Sequence, residues 1–323
     1  MTYEEKILDL TQLNSNIVVM TAENRAAIRN LPKHLGNRFI DVGITEQTLV
    51  GMAAGLAVRG RIPVVHALAT FLTMRAFEFI RTDIGIANLP VKLVGFVPGF
   101  LSEANGPTHQ AVEDVALMRG IPNMKVFCPA DVDELIEGMP HIIADASPWY
   151  IRYNAASPVV DHYNGFAVGT AEVLSDGMDV ALITYGLLTR EVWRAKEILE
   201  LDGYSVRYIN LRTVKPIDEY EILSAAKECS LLVTVEDHFK TGGLYSIIGE
   251  IFLKHAVMVK VLPIALDNRW FTPALLHDVL WYEGFSGEQI AAKILATLNA
   301  GGSKAMERDS AATPYVSHFD QGE

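Results

Sequence analysis

Two side chains in the first half of the chain, Glu46 and His109, have the chemistry that proton transfer needs. Glu46 stands in "GITEQTLVGMAAGLAV", where no charged residue occurs from Leu49 to Val58. A carboxyl group in such apolar surroundings is desolvated, which favours its protonated form and suits it to share a proton with a basic ring nitrogen. His109 stands in the turn-forming stretch "GPTHQ", and histidine exchanges protons near neutral pH. Both residues are therefore candidates for acid–base chemistry.

The same residues also have structural interpretations. Thr45 could cap a helix that begins at Glu46, because a carboxylate in the first turn interacts favourably with the helix dipole, by about 0.3–1 kcal/mol when exposed. Gly51 and Gly55, four residues apart, would allow a neighbouring helix or strand to pack closely. His109 could be a loop histidine that hydrogen-bonds to the backbone. The local pattern does not choose between these interpretations.

Short apolar runs alternate with helical patterns and predict the elements that must position these residues. Strands are predicted at "NIVVM", "IPVVHA", "VKLVGF", "KVFCP", "WYIRY", "DVALITYG", "SVRYINL", "LLVTVED" and "VKVLPIAL". Amphipathic helical patterns include "TFLTMRAFEFIRTDIGIA" and "ADVDELIEGMPHIIADA". Continuous apolar strands that alternate with helices predict an α/β fold with two domains, each a mostly parallel sheet flanked by helices.

Composition changes predict where the domains begin and end. Residues 1–157 form the first predicted domain, and 158–178, rich in Pro, Gly and Asn, form a linker with room for one or two short strands. Residues 179–300 form the second domain, and 301–323 form a polar, aperiodic tail.

Charge and cysteine content exclude several classes of function. The 323 residues carry a net charge of −12 and no basic run, which excludes nucleic acid as a partner. The 2 cysteines have no metal-binding spacing and indicate a reducing, cytoplasmic location. The N-terminus lacks a secretory signal, and no apolar run reaches the roughly 18 residues that span a bilayer, so no membrane is expected.

An ordered set of motifs gives the chain a specific resemblance. The order "GITEQ", "TFL", "GPTHQ", "RGIPNM" and "PAD" resembles the pyrimidine-binding domain of transketolases and 1-deoxyxylulose-5-phosphate synthases. The stretches "ITYG", "INLRTVKPID" and "VEDHFKTGGL" are similar to the C-terminal domain of the same enzymes. The resemblance covers nearly the whole chain except the tail, and it implies thiamine diphosphate as the cofactor.

One motif of these enzymes is missing. They bind the diphosphate and Mg²⁺ through a separate domain with a G-D-G and a later Asn pair, and this chain contains no G-D-G. The chain therefore resembles the second subunit of a split transketolase. The resemblance implies an N-terminal partner subunit on a separate chain, a heterotetramer, and no metal ligands in this chain.

The resemblance also assigns roles to residues near the cofactor. Glu46 matches the family glutamate that hydrogen-bonds to N1′ of the aminopyrimidine, which helps N4′ take the proton from C2 of the thiazolium. Phe71 matches an aromatic residue beside the pyrimidine. Met74 and Phe77 occupy positions where transketolases place aromatic residues. The alternative for Phe71, Met74 and Phe77 is a core stripe at helical spacing.

Four further residues are predicted to contact substrate. His109 matches a histidine that faces the reacting carbon and binds donor hydroxyl groups. Asn105 replaces the Asp of the family's "DGPTH", which removes a charge and changes the expected donor preference. Arg152 matches an arginine that binds the sugar phosphate, while a second phosphate ligand of the family falls at Val97 and does not transfer. His66, at the end of a predicted strand, is expected to line the cleft.

The predicted function is transfer of a two-carbon ketol unit from a ketose or related donor to an aldehyde acceptor, with a partner subunit required. A β subunit of a 2-oxo acid dehydrogenase shares the two-domain plan but would lack "GPTHQ" in this form. A deoxyxylulose-phosphate-synthase-type enzyme has His where this chain has Thr48. The third alternative is a non-catalytic subunit that stabilises a partner. An adjacent gene encoding a chain with G-D-G and an Asn pair would favour the enzymatic interpretations.

Overall fold

The computed structural model of the protein describes residues 1–162 and 165–310, with side chains described as far as residue 300. In these ranges the strands are β1 (Ile17–Thr21), β2 (Phe39–Asp41), β3 (Ile62–Leu68), β4 (Lys92–Phe96), β5 (Lys125–Phe127), β6 (Trp149–Arg152), β7 (Glu172–Ser175), β8 (Val180–Thr184), β9 (Val206–Asn210), β10 (Thr213–Lys215), β11 (Leu231–Phe239) and β12 (Val261–Leu266). The α-helices are α1 (Tyr3–Leu13), α2 (Leu31–Leu35), α3 (Glu46–Val58), α4 (Phe77–Phe79), α5 (Asp114–Arg119), α6 (Val132–Ala144), α7 (Thr189–Leu201), α8 (Glu219–Glu228), α9 (Leu244–His255), α10 (Leu276–Glu283) and α11 (Gly287–Ser310).

The strands form two sheets. The first has the order β10-β5-β6-β4-β3-β1-β2 and is parallel except for β10, which pairs antiparallel with β5. The second has the order β12-β11-β8-β9-β7 and is parallel except for β7. The predicted fold class is confirmed. The second half of the chain contributes β10 to the edge of the first sheet, so the two halves share a sheet as well as an interface.

The first sheet is covered on both faces, as its continuous apolar strands require. In β1, Val18 and Met20 belong to a core that includes residues of α3. Ile17 and Val19 belong to the opposite core, which includes residues of α1 and α6. Because side chains alternate along a strand, this period of two places α3 on one face of the sheet. The carboxyl ends of β1 to β4 then meet at one edge, where α/β proteins commonly bind ligands.

Some elements differ from the sequence prediction. The short strands β2 and β10 were not predicted, whereas β7 agrees with the expectation of a short strand in the linker. The pattern over 70–87 forms two π-helical segments, Phe71–Arg75 and Ile80–Ile86, separated by α4. The helix α11 continues through the first part of the predicted tail to Ser310, and residues 311–323 lie outside the described ranges. No helix within the described ranges is both long and apolar enough to cross a membrane.

A histidine in the linker joins the two domains. His162 Nδ1 lies 2.6 Å from Glu172 Oε2 on β7, and its Nε2 lies 2.9 Å from Asp131 Oδ2 at the start of α6. Ligating atoms of Glu134, His162 and Glu172 lie within 4.8 Å of one another, a spacing that also admits a metal ion. Both ring nitrogens of His162 are already engaged by carboxylates, so we interpret the cluster as an ion pair between domains.

This cluster predicts a pH-dependent contribution to stability. Burial lowers the pKa of His162, but hydrogen bonds to Asp131 and Glu172 outweigh this effect and raise the pKa from its ordinary 6.5 to about 10. A raised folded-state pKa gives stability that is fully present below pH 6.5 and is lost as the pH rises toward about 10. The difference in unfolding free energy between the native protein and His162→Gln, measured by urea unfolding, should therefore shrink across this window. His277→Gln, whose side chain is 93% exposed, is the control and should show no such trend. A constant difference for His162→Gln would contradict the assignment.

Candidate active site

Glu46 lies at the first position of α3, just beyond β2, and is only 3% exposed. Its Oε2 accepts a hydrogen bond of 3.3 Å from Nη1 of Arg75, whose own side chain is 45% exposed. Thr45 occupies the N-cap position of this helix, as the sequence predicts, but its hydroxyl donates to the carbonyl of Val42 at 3.0 Å and makes no capping bond with the helix backbone. The carboxylate is therefore held by an arginine side chain and is buried apart from that contact.

The helix α3 buries one side and leaves the other open. Leu49 and Ala53 are fully buried in the core beneath the first sheet. At Gly51 and Gly55 a Cβ atom would meet nothing within 4 Å, so the close packing predicted for these glycines does not occur within the described chain. Met52 on the same open side is exposed as well. An apolar helix normally has both sides covered, so this surface suits contact with another chain.

An aromatic and cationic cluster surrounds the Glu46 carboxylate. The guanidinium of Arg75 lies 4.3 Å from the centre of the Phe71 ring, and the Phe71 ring meets the His109 ring edge-on at 5.1 Å between centroids. The π-helical turn brings Phe71 and Arg75 together. In this widened turn, Ala76 N donates to the Phe71 carbonyl, five residues earlier, at an N···O distance of 3.3 Å. Such turns are frequent at functional sites. Arg75 thus contacts both the carboxylate and the aromatic face.

The turn that carries His109 is fixed by backbone hydrogen bonds. His109 N donates to the Gly106 carbonyl at 2.9 Å, and the Thr70 hydroxyl donates to the His109 carbonyl at 2.6 Å. Gly106 has φ +83°, a conformation that favours glycine. The ring Nδ1 lies 3.0 Å from the hydroxyl of Thr108. The imidazole is therefore oriented by its own loop, with Nε2 as its other polar atom.

Glu46, Phe71 and His109 line one cavity of about 660 Å³. The other lining residues stand at or beyond the carboxyl ends of β1, β2 and β3; they are Ala22, Glu23, Asn24, Arg25, Ala26, Arg29, Ile44 and Leu68. The structure therefore brings together three residues that are more than 20 positions apart in sequence.

Arg25, Arg29 and Arg75 are site residues that sequence reasoning missed. Arg25 is paired with Asp41, through Nε at 2.7 Å, and within the described residues Arg29 has no ion pair or side-chain hydrogen bond. None of the three stands in a recognisable motif. The three arginines lie 17 to 29 positions from Glu46 in sequence, so no local pattern connects them with that residue.

Met74, Phe77 and Asn105 do not line this cavity. Met74 is partly buried, and Phe77 packs against the core that includes α3. Asn105 is exposed at the end of a 3₁₀ segment, next to Gly106. Their proposed contacts with cofactor or substrate stay predictions.

His66 lies in the core rather than in the cleft where it was expected. It is fully buried on β3, where the Tyr3 hydroxyl donates to Nε2 at 2.9 Å and Nδ1 donates to the Met20 carbonyl at 3.1 Å. Burial lowers the pKa of His66 to about 4, so the ring is neutral near pH 7. Its hydrogen bonds and burial assign it a structural role.

Arg152 was expected to bind a sugar phosphate, but its guanidinium is buried between the domains. Nε donates to Asp114 Oδ2 at 3.0 Å, Nη1 pairs with Asp237 Oδ1, and Nη2 donates to the Asp237 carbonyl at 3.0 Å. The Arg152 side chain is 2% exposed and both carboxylates are fully buried. This placement corrects the prediction: Arg152 joins the two domains and does not reach the cavity.

Comparison with known proteins agrees with this geometry. The family described as "Transketolase, pyrimidine binding domain" matches residues 4–157, and "Transketolase, C-terminal domain" matches residues 169–290. The 6-deoxy-6-sulfo-D-fructose transketolase subunit SqwH of Clostridium sp. (strain MSTE9) is 36% identical over 253 residues, which cover 77% of this chain and 79% of that protein. A putative transketolase C-terminal section from Methanocaldococcus jannaschii is 33% identical over 91% of this chain and 94% of its own length.

A solved structure has the same architecture. It is described as "Split gene transketolase, inactive beta4 tetramer", superposes with a TM-score of 0.82 at 31% identity, and is matched over 92% of this chain and 96% of its own. Both domains, their order and their length thus have counterparts in subunits of split transketolases. This chain belongs to the transketolase family and corresponds to the second subunit of its split members.

Proposed function

We propose that this chain is the pyrimidine-binding subunit of a two-component, thiamine-diphosphate-dependent transketolase that transfers a two-carbon ketol unit to an aldehyde. The observation that carries the proposal is the shared cavity of Glu46, Phe71 and His109 at the carboxyl edge of the first sheet. It places a buried carboxylate, an aromatic ring and an imidazole around one space.

The donor set fits the aminopyrimidine end of the cofactor. Glu46 offers a carboxylate to a ring nitrogen, and Phe71 offers an aromatic face on which a planar ring can stack. When bound, thiamine diphosphate supplies an electron sink that permits cleavage of a C–C bond beside a carbonyl. Glu46 holds the proton at the ring nitrogen, and the apolar helix behind it keeps water away from that carboxyl group.

Arg75 must move for this contact to form. In the structure it occupies both Oε2 of Glu46 and one face of Phe71. These are the groups that the pyrimidine would use. Because the Arg75 side chain is 45% exposed, it can leave without disturbing the core.

The remaining groups of the cavity suit an anionic sugar substrate. His109, with Nδ1 beside Thr108, presents Nε2 to donor hydroxyl groups. Arg25 and Arg29 line the same cavity and provide positive charge for a terminal phosphate or sulfonate. The relative from Clostridium is named for a sulfonated fructose, which is consistent with a substrate of this kind.

The partner in this proposal is a separate N-terminal subunit that binds Mg²⁺ and the diphosphate, in a heterotetramer. The open apolar side of α3, with exposed Met52, and the exposed Ile44 that lines the cavity form a surface that such an assembly can cover. The related split-gene structure is described as an inactive tetramer of β subunits, which supports dependence on a second kind of subunit for that protein.

The test is reconstitution. The purified chain alone should show no ketol transfer and only weak binding of thiamine diphosphate. Addition of the partner subunit, Mg²⁺ and cofactor should give transfer from a ketose to an aldehyde, measured with a panel that includes phosphorylated, sulfonated and neutral sugars. Full activity of the isolated chain would contradict the split-enzyme proposal. Absence of transfer by the mixture, with the complex formed and the cofactor bound, would favour a non-catalytic subunit.

A further inference from the structure

We propose that the second domain helps to set the position of His109 through Gln110, a positioning residue whose side chain spans the domain interface. The expected effect on catalysis rests on the proposed function. Gln110 is 1% exposed, and its Nε2 donates to the backbone carbonyl of Phe271 at 2.9 Å. Its Oε1 is buried without a hydrogen-bond partner among the described residues. Among the residues that the structure describes, the bond to Phe271 is thus the hydrogen bond that fixes the Gln110 side-chain amide.

The loop that carries His109 is attached to the second domain on both sides of the histidine. Before it, Phe100 N donates to Asp237 Oδ2 at 3.3 Å, and the Phe100 and Phe271 rings meet edge-on at 5.1 Å. Gly99 has φ +54°, and a Cβ there would lie 1.9 Å from Asp237 Oδ2, so the backbone touches the second domain directly. These contacts fix where the loop begins.

After the histidine, the loop is attached again. Phe239 N, on β11 of the second domain, donates to the Val112 carbonyl at 2.8 Å. Gln110 lies between this bond and His109. Two contacts tie His109 itself to the body of the first domain: the bond from Thr70 to its carbonyl, and the edge-on contact of its ring with Phe71. The imidazole therefore sits at a junction that two domains define together.

This arrangement separates two functions of the site. Glu46 and Phe71 stand on α3 and on the π-helical turn of the first domain, whereas the loop of His109 is also attached to the second domain. Loss of the Gln110 bond should shift the imidazole and leave the carboxylate in place. A displacement of about 1 Å at a group that orients substrate can cost on the order of 100-fold in rate.

The experiment compares Gln110→Leu and Gln110→Met with the native chain. Both variants keep approximately the size of the side chain and remove the donor. In the isolated chain, the ¹H–¹³C NMR signal of the His109 ring, assigned with His109→Gln, should shift in both variants. In the reconstituted enzyme, kcat/KM for the ketose donor should fall about 10- to 100-fold, while exchange of the cofactor C2 proton should stay within about twofold of the native rate.

The matched control is Asn154→Leu. Asn154 is also a buried amide, and it donates to the Pro129 and Ala130 carbonyls away from the cavity. The Asn154→Leu variant should have a lower Tm, with the NMR shift of His109 and kcat/KM unchanged. An unshifted His109 signal in both Gln110 variants, or a shift of equal size in Asn154→Leu, would overturn the inference whatever reaction the enzyme catalyses. Failure of the native complex to exchange C2 or transfer ketol units would overturn the proposed function instead, because the NMR result does not depend on it.

Discussion

Replacement of Glu46 by glutamine is expected to slow exchange of the C2 proton of thiamine diphosphate in the reconstituted enzyme by about 100- to 10,000-fold, the usual contribution of a positioned acid or base. Glutamine has the size of glutamate and can still hydrogen-bond to a ring nitrogen. It cannot carry the proton that the carboxyl group exchanges. The exchange is measured by NMR after dilution into D₂O, and ketol transfer should fall in parallel.

The matched control for this prediction is Glu78→Gln. Glu78 is exposed on α4 and lies outside the cavity, so the Glu78→Gln enzyme should exchange the cofactor C2 proton at the native rate. Binding of the cofactor to Glu46→Gln, followed by calorimetry, separates lost chemistry from lost affinity. Native exchange in a Glu46→Gln enzyme with cofactor bound would return Glu46 to the role of a helix-start acid.

The cavity could be predicted in part because its residues follow parallel strands. Glu46 follows β2, Phe71 follows β3 and His109 lies in the loop after β4, so parallel order alone brings them to one edge. Spacing cannot reveal the widened turn that places Arg75 against Phe71 and Glu46. It also cannot show whether a polar residue at a strand end faces a cleft or the core, and this is why the prediction for His66 was wrong.

The fold was predicted where apolar runs were long and buried. β1, β4 and β8 are buried at every position, so their sequences carry a strong strand signal. β2 and β10 are three residues long at the two edges of the first sheet, and their pairing partners rather than their own composition make them strands. The attachment of β10 to the first sheet depends on long-range packing between the domains, which no local pattern encodes.

Arg152→Met should cost about 3–5 kcal/mol in unfolding free energy, the usual range when one partner of a buried ion pair is removed. Methionine preserves much of the volume, but Asp114 and Asp237 would remain fully buried without a cation. Urea unfolding at pH 8 measures the loss. Arg194→Met is the control, because Arg194 also contacts two glutamates but is 56% exposed, and its removal should cost at most about 1 kcal/mol.

The pH dependence of this variant identifies the cause of the loss. Burial raises the pKa of Asp237 even with Arg152 beside it, since the guanidinium only partly offsets the burial. Without Arg152 the pKa of Asp237 rises further, and a raised folded-state pKa favours the native state at low pH and penalises it as the pH rises. Arg152→Met should therefore be less destabilised at pH 5 than at pH 8. A loss of equal size at both pH values would mean that methionine packs poorly at this position and that uncompensated charge is not the cause.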